Sequence, residues 1–370
     1  MLKRHCFIKL QAVLPVLSFL LLTAVSAQDW RILQNAQMLF DKGDYGDAIY
    51  QVKQAVLTRE KYTDTAMATL NTALNPAEVR KAGDRIDDVI PVLQKRQTTD
   101  ALKIVTGLIE KKGSAFFNGS IKKLSDYVKN SRAYPEADFL YGRIYQVEGE
   151  YTLAMQYYDS AYKNAFYLDI PDQRYDILYQ MADLSLHEEN TDNYEKYLLE
   201  ILKTDTSFSD STLIDAMERT IALNTEKSLE KFFSLYRAES PKSMKACFML
   251  ADLYTKKGRN DKALRMSALG VLIGFTRMYS VAASHDIEFS YTTIKNFLAD
   301  LKKYPELIEW SREQNYWNGM NSFAEICNTC GYTVFSDALY HTLAEASPED
   351  YWKKEAAEHI RKSAAVSVSY

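Results

Sequence analysis

Cys327-Asn-Thr-Cys330 is the motif in this sequence best suited to chemistry. A paired dithiol needs its reactive sulfur at a helix N-terminus, where the dipole lowers the thiol pKa. Here the pair falls at the C-terminal end of a helical segment, just before Gly331, which is the opposite pole. A zinc site would need a second such pair or a spaced histidine pair, and the sequence has neither. The plainest reading is packed or incidental cysteines, with a structural disulfide and a redox or metal role as the alternatives. Cys247 occupies a packing position, so three cysteines remain once Cys6 is set aside, an odd number that makes no disulfide framework.

The other reactive types do not assemble either. His187, His285, His341 and His359 are scattered, and no metalloprotease, nucleophile-elbow or phosphate-loop pattern occurs. His285-Asp286 is an isolated neighbour pair, and Glu188-Glu189 reads as a solvated helix end. Asn118-Gly-Ser120 fits a glycosylation triplet, which matters only in a eukaryotic secretory route. The 26 tyrosines suggest a sugar platform, yet Tyr145, Tyr151, Tyr158 and Tyr254 sit where helices pack. The sequence therefore predicts no catalytic residue, no metal and no cofactor: a binding protein and not an enzyme.

The elements around these residues are helical. Hydrophobic residues make up 47% of the 370 and charged residues 25%, with 13 Gly and 8 Pro, a globular composition. The formal charge of −4 and the lack of a basic stretch argue against a nucleic-acid partner. Residues 1–27 read as an export signal. Lys3, Arg4 and Lys9 precede an apolar stretch from Leu10 to Thr23, and Val25-Ser26-Ala27 supplies the small residues before a cut at Gln28. That stretch is shorter than a spanning helix, so membrane contact is expected only before cleavage. No Cys follows the small residues, so no lipid anchor is expected. The expected location is the periplasm, with full secretion as the other exported destination.

Past residue 28 apolar residues recur at helical spacing. Leu102, Val105, Leu108 and Ile109 form one face; Leu213, Met217, Ile221 and Leu223 form another, stopped by Asn224-Thr225. Leu229, Phe232, Phe233 and Tyr236 continue into a helix that Pro241 is expected to close. Helices of about 13 residues with short turns predict antiparallel neighbours.

One spacing pattern occurs three times without a gap. It runs Ala36, Leu39, Gly43, Tyr45, Ala48, Val52, Ala55. It returns as Gly142, Tyr145, Gly149, Tyr151, Ala154, Tyr158, Ala161, and again as Ala251, Tyr254, Gly258, Asn260, Ala263, Ser267, Gly270. Small residues let two helices approach, and the central Gly permits a tight turn. These segments resemble the tetratricopeptide repeat family, whose unit is 34 residues. Leu140-Tyr141-Gly142, Tyr145, Gly149-Glu150-Tyr151 and Ala154 carry the resemblance best, and the family's early tryptophan is replaced by Ile32, Asp138 and Cys247.

The copies start 106 residues apart (36 to 142) and then 109 apart (142 to 251), room for about two diverged pairs in each gap. Residues 82–111, 175–204 (turning at Asn193-Tyr194) and 210–238 read as such pairs. The expected fold is thus all-α: an α-solenoid of antiparallel helix pairs over 28–275, read as one continuous array. Divergent repeats or a helical C-terminal cap follow over 276–370, with helices at Ile294 to Leu301, Pro305 to Arg312, Phe323 to Cys330 and Ser336 to Leu343.

The resemblance implies a concave groove, lined by the first helix of each pair, that receives a protein or peptide. Projected away from the packing positions, Phe139, Arg143 and Gln146, and Lys245, Phe248, Asp252 and Thr255, would line it. The plainer reading of Phe139 and Phe248 is packing between units. A competing expectation is a ligand-binding component serving a transporter, with a cavity near Trp310, Tyr316 and Trp317; a third is a thiol enzyme using Cys327 and Cys330.

Overall fold

The computed structural model describes residues 29–225, 227–235, 241–286 and 289–368. The predicted export signal lies outside the described residues, as does Tyr236. Among the described residues the fold is all-helical, with no strand and one isolated antiparallel bridge between Arg85 and Ser120. The described residues divide into two compact units, with the boundary between residues 184 and 185.

In the first unit the helices are α1 (29–42), α2 (Tyr45–Leu74), α3 (Ala77–Ala82), α4 (Ile86–Lys95), α5 (Thr99–Lys112), α6 (Ile121–Asn130), α7 (Pro135–Val147) and α8 (Tyr151–Lys163), with α9 (Gln173–His187) running across the divide. The second holds α10 (Thr191–Leu202), α11 (Thr206–Ser209), α12 (Ser211–Ala222), α13 (Ser228–Phe233), α14 (Pro241–Lys256), α15 (Asn260–His285), α16 (Ile294–Asp300), α17 (Pro305–Glu313), α18 (Tyr316–Thr329), α19 (Thr333–Ala346) and α20 (Asp350–Val368).

The turns of the three repeat copies share one geometry. Gly43, Gly149 and Gly258 all have positive φ, at 85°, 83° and 66°. In each, the N–H of the next residue donates to a carbonyl five residues back: Asp44 to Leu39, Glu150 to Tyr145, and Arg259 to Tyr254, at 2.8–2.9 Å. This C-terminal cap satisfies carbonyls that the helix end leaves free. The same bond closes α4 (Thr98 to Leu93), α9 (Asn190 to Ser185) and α18 (Tyr332 to Cys327). Gln97 and Glu189 hold the left-handed position in two of these, so no glycine marks them in the sequence. For that reason the turn expected at Asn193-Tyr194 lies four residues earlier. Asn190 caps α10 there, its side chain accepting from the Asn193 N–H at 3.1 Å.

The repeat copies fold back on themselves. Ser160 donates to Asp138 at 2.7 Å and Tyr158 to Gln146 at 2.6 Å, while Gly142 lies under the Tyr158 ring. Contacts whose numbers rise on one helix and fall on the other fix α7 and α8 as antiparallel. Likewise Gly274 meets Met244 and Gly270 meets Cys247 and Phe248, fixing α14 against α15. Ser336 donates to the Ala324 carbonyl, and Phe335 packs on Phe323, fixing α18 against α19.

The order in space differs from the expected even succession of pairs. Ala36, Ala48, Val52 and Ala55 of α1 and α2 share a core directly with Tyr134, Ala137, Leu140 and Ile144, which begin and build α7. The first two repeat copies are therefore neighbours, although 106 residues separate them. The α4–α5 pair does not lie between them. It joins α3, α6 and the far half of α2 (Ala66, Leu70, Ala73) in a second core. This arrangement needs a long α2. It runs 30 residues, not about 13, because nothing after Gly46 interrupts it before Pro76. In the second unit α15 is similarly long, 26 residues, since Gly270 and Gly274 serve close helix contacts and not turns. The expected boundary at 275/276 falls inside this helix. By length and composition α15 could cross a membrane, but 72% of its apolar window is buried inside the protein.

Smaller expectations divide. Leu213, Met217 and Ile221 are buried, whereas Leu223 is 52% exposed; Asn224 stops α12 with φ 46°. Pro241 opens α14 instead of closing the preceding helix, which ends at Phe233. A proline fits that first-turn position because its missing N–H would be unpaired there anyway.

Candidate partner-binding grooves

Two cavities are each lined mainly by one pair of helices, the second also by Asn260 and Ser267 of α15. Groove I, about 260 Å³, is bounded by Trp30, Leu33, Gln34 and Gln37 from α1 and by Glu136, Phe139, Leu140 and Arg143 from α7. Each set has spacing i, i+3, i+4, i+7, which places its members on one helix face. Tyr134 and the segment Asp169, Ile170 and Gln173 close one side. The two stripes stand in register: the Arg143 Nη1 donates to the Gln37 Oε1 at 2.9 Å, and these residues are 106 apart, the repeat spacing itself.

Groove II, about 240 Å³, repeats the plan in the second unit. Phe248, Ala251, Asp252 and Thr255 of α14 face Asn318, Gly319, Ser322, Glu325, Ile326 and Thr329 of α18. Phe248 sets the helix spacing. A Cβ at Gly270 would stand 2.7 Å from its ring, and one at Gly319 would overlap it.

Of the residues read from sequence as groove-lining, Phe139 and Arg143 bound groove I, and Phe248, Asp252 and Thr255 bound groove II. Phe139 is only 8% exposed and its ring packs on Tyr158, so it serves both core and groove floor. Gln146 faces Tyr158, accepting its hydroxyl proton, and Lys245 is exposed; neither lines its cavity. Sequence reasoning missed the α1 stripe, Glu136 and the α18 stripe. The signal was present as i, i+3, i+4, i+7 spacing, but pairing it needs the neighbour.

A third cavity, about 320 Å³, lies among α2, α5 and α6 and shares Trp30 and Asp169 with groove I. Its charges are matched within the protein: Arg59 with Asp29 at 2.5 Å, Lys111 with Asp169 at 2.6 Å, and Lys103 with Asp100 at 3.9 Å. Burial pushes the lining Tyr127 hydroxyl up to about 12. A cavity whose ions already neutralise one another offers little to a charged ligand.

Groove I differs. The Glu136 Oε1 accepts the Asp169 N–H at 2.7 Å, but its Oε2 is buried without a partner. Burial raises the Glu136 pKa, and the Asp169 N–H offsets this only in part. Because the folded-state pKa lies above the unfolded one, ionised Glu136 destabilises the fold at pH above the folded value and not below the unfolded one. Glu136→Gln is therefore expected to raise the melting temperature at pH 7 by a few degrees, for a gain of about 1 kcal/mol. The gain should vanish by about pH 4, below the model-peptide value; a scan over pH 4–8 checks the sign.

The sequence's chemical candidates fall elsewhere. Cys247, Cys327 and Cys330 are free thiols, the first two buried. Burial raises the pKa of all three, the reverse of thiolate activation. Of the three described cysteines only Cys330 is expected to react with a thiol reagent in the native protein at neutral pH, with Cys247 and Cys327 reacting on denaturation. Rapid native modification of Cys327 would contradict its burial. Tyr316 and Trp317 are no more than 1% exposed. The Tyr316 hydroxyl donates to the Val271 carbonyl at 3.1 Å and the Trp317 indole to Ser311 at 2.9 Å. They build the core between α15 and α18 and line none of the three cavities described. Among the described residues no three His, Cys, Asp or Glu side chains converge as a metal site.

No family model matches the chain. A protein of Treponema pallidum (strain Nichols), described as uncharacterized, is 28% identical over 332 residues, covering 89% of this chain and 88% of its own length. The similarity thus runs through both units and their connecting helices.

Proposed function

We propose that the chain is an exported, non-catalytic scaffold: a tetratricopeptide-type α-solenoid whose stacked first helices hold an extended segment of a protein partner. The observation that carries this reading is the register of groove I. There α1 and α7 present the same four-residue stripe side by side, linked by a bond between residues one repeat spacing apart. Groove II presents the same plan with α14 and α18. Stacked hairpins that bury one flank on a neighbour leave the first-helix face free for binding. In this reading α19 and α20 close the array, and the apolar N-terminal stretch directs the chain to the periplasm.

The test is site-specific photo-cross-linking in intact cells, with the reactive residue at Gln34, at Ser322 or at the exposed Lys163 on α8. A discrete adduct from the groove positions and none from Lys163 is expected. Identical patterns from all three, or no adduct from either groove, would count against the scaffold. Recovery in the cytosolic fraction with Met1 retained would reject export.

A further inference from the structure

Groove I carries unmatched charges, and on the scaffold reading these define what the partner segment must present. Glu136 and Arg143 lie seven residues apart on one face of α7, about 10.5 Å along the axis, with Phe139 and Leu140 between them. At one end the Glu136 Oε2 is buried without a donor. Tyr134, a residue 4% exposed that lines the same cavity, lies under the Arg59 guanidinium. At the other end the Arg143 guanidinium donates to the neutral Gln37 amide and lies 4.4 Å from the Phe40 ring centre and 6.0 Å from that of Phe139. Among the described residues no carboxylate forms an ion pair with it. Buried polar groups left unpaired are costly, and a ligand that pairs them recovers that cost. Between the ends, Leu33, Phe139 and Leu140 give an apolar floor, while Trp30 and Ile170, 55% and 66% exposed, flank the Glu136 end.

We propose that groove I binds an extended segment of a protein partner that sets a basic side chain against Glu136 and an acidic one against Arg143, three positions apart. In the polyproline II conformation a chain makes one turn every three residues and rises about 3.1 Å per residue, so side chains three positions apart share a face and stand roughly 9 Å apart, close to the spacing of the two charges. An apolar side chain between them rests on Leu33 and Phe139. Asp169 lines the same end but is paired with Lys111, so Glu136 presents the negative charge there.

The test uses the whole chain and fluorescent peptides, Ac-Gly-Lys-Leu-Ala-Glu-Gly-amide and its reverse order Glu-Leu-Ala-Lys. Each is paired with versions carrying norleucine for Lys or Gln for Glu. One order is expected to bind, and each neutral replacement to weaken it about tenfold, the value of one well-placed charge pair. Glu136→Gln should abolish the preference for Lys over norleucine and keep the preference for Glu over Gln; Arg143→Gln should do the converse. The thermal measurement on Glu136→Gln shows whether that variant is folded. If neither order binds, or if the variants weaken all peptides equally, the assignment is overturned. A Gln34 cross-link to a partner alongside failed peptide discrimination would reject this specificity alone; loss of both would reject the scaffold as well.

Discussion

Asp29→Ala is expected to destabilise the first unit by about 3–5 kcal/mol, the cost of leaving a buried cation without its partner. Asp29 opens α1 and its carboxylate meets the Arg59 Nε at 2.5 Å, with side-chain exposures of 6% and 18%. The guanidinium also lies 4.0 Å over the Tyr134 ring, at the start of α7. One ion pair therefore ties the first turn of α1 to the middle of α2 and to the entry of the second hairpin. Removing the carboxylate leaves Arg59 with the Tyr134 ring and only the weaker attraction of Glu136. Replacing both partners by apolar residues, as Asp29→Leu with Arg59→Met, should recover most of the loss, since neither charge of the pair is then left without the other. Urea unfolding of the two singles and the double measures this. A single-variant loss below about 1 kcal/mol, the range of exposed pairs, would mean that water reaches the site.

Gly142→Ala is the second large effect, expected at about 1–3 kcal/mol and at the upper end. The added methyl would overlap Cδ1 and Cε1 of Tyr158. Tyr158 is fully buried and its hydroxyl is bonded to Gln146, so the ring cannot step aside without breaking that bond. The α7–α8 hairpin would have to open, and the Gly142 side of α7 would move away from its partner. Gly107 on α5 supplies the contrast. A Cβ there meets nothing within 4 Å and its φ is ordinary for a helix, so Gly107→Ala should stabilise by about 0.5–1 kcal/mol through helix propensity. Opposite signs from one substitution type at two helix-internal glycines would separate packing from propensity. Two values of the same sign would show that Tyr158 can relocate.

The residues whose local role sequence could read behave as their chemistry dictates. Gly43, Gly149 and Gly258 fall at left-handed turn positions that few other residues adopt. Gln97 and Glu189 adopt the same conformation, and nothing in their side chains announces it, so those turns were displaced or unseen. Phe139, Arg143, Phe248, Asp252 and Thr255 were legible as one-face residues because helical periodicity alone assigns faces. Gln146 and Lys245 show where that argument ends. A face is about 100° wide, and only the neighbouring side chain decides which edge of it meets a cavity.

Composition and periodicity by themselves determined the helices, the three glycine turns and the hairpins they close, because these depend on bonds within a few residues. The tertiary structure decided which hairpins touch. It seats α7 against α1 and α2 across the 60 residues that separate α2 from α7 (75 to 134), and it gives α3–α6 a core of their own on the far half of α2. An apolar stripe states how much surface must leave water and is silent about the surface that will cover it. The unmatched Glu136 and Arg143 came into view only with that pairing, for a charge is stranded or satisfied by what packs beside it.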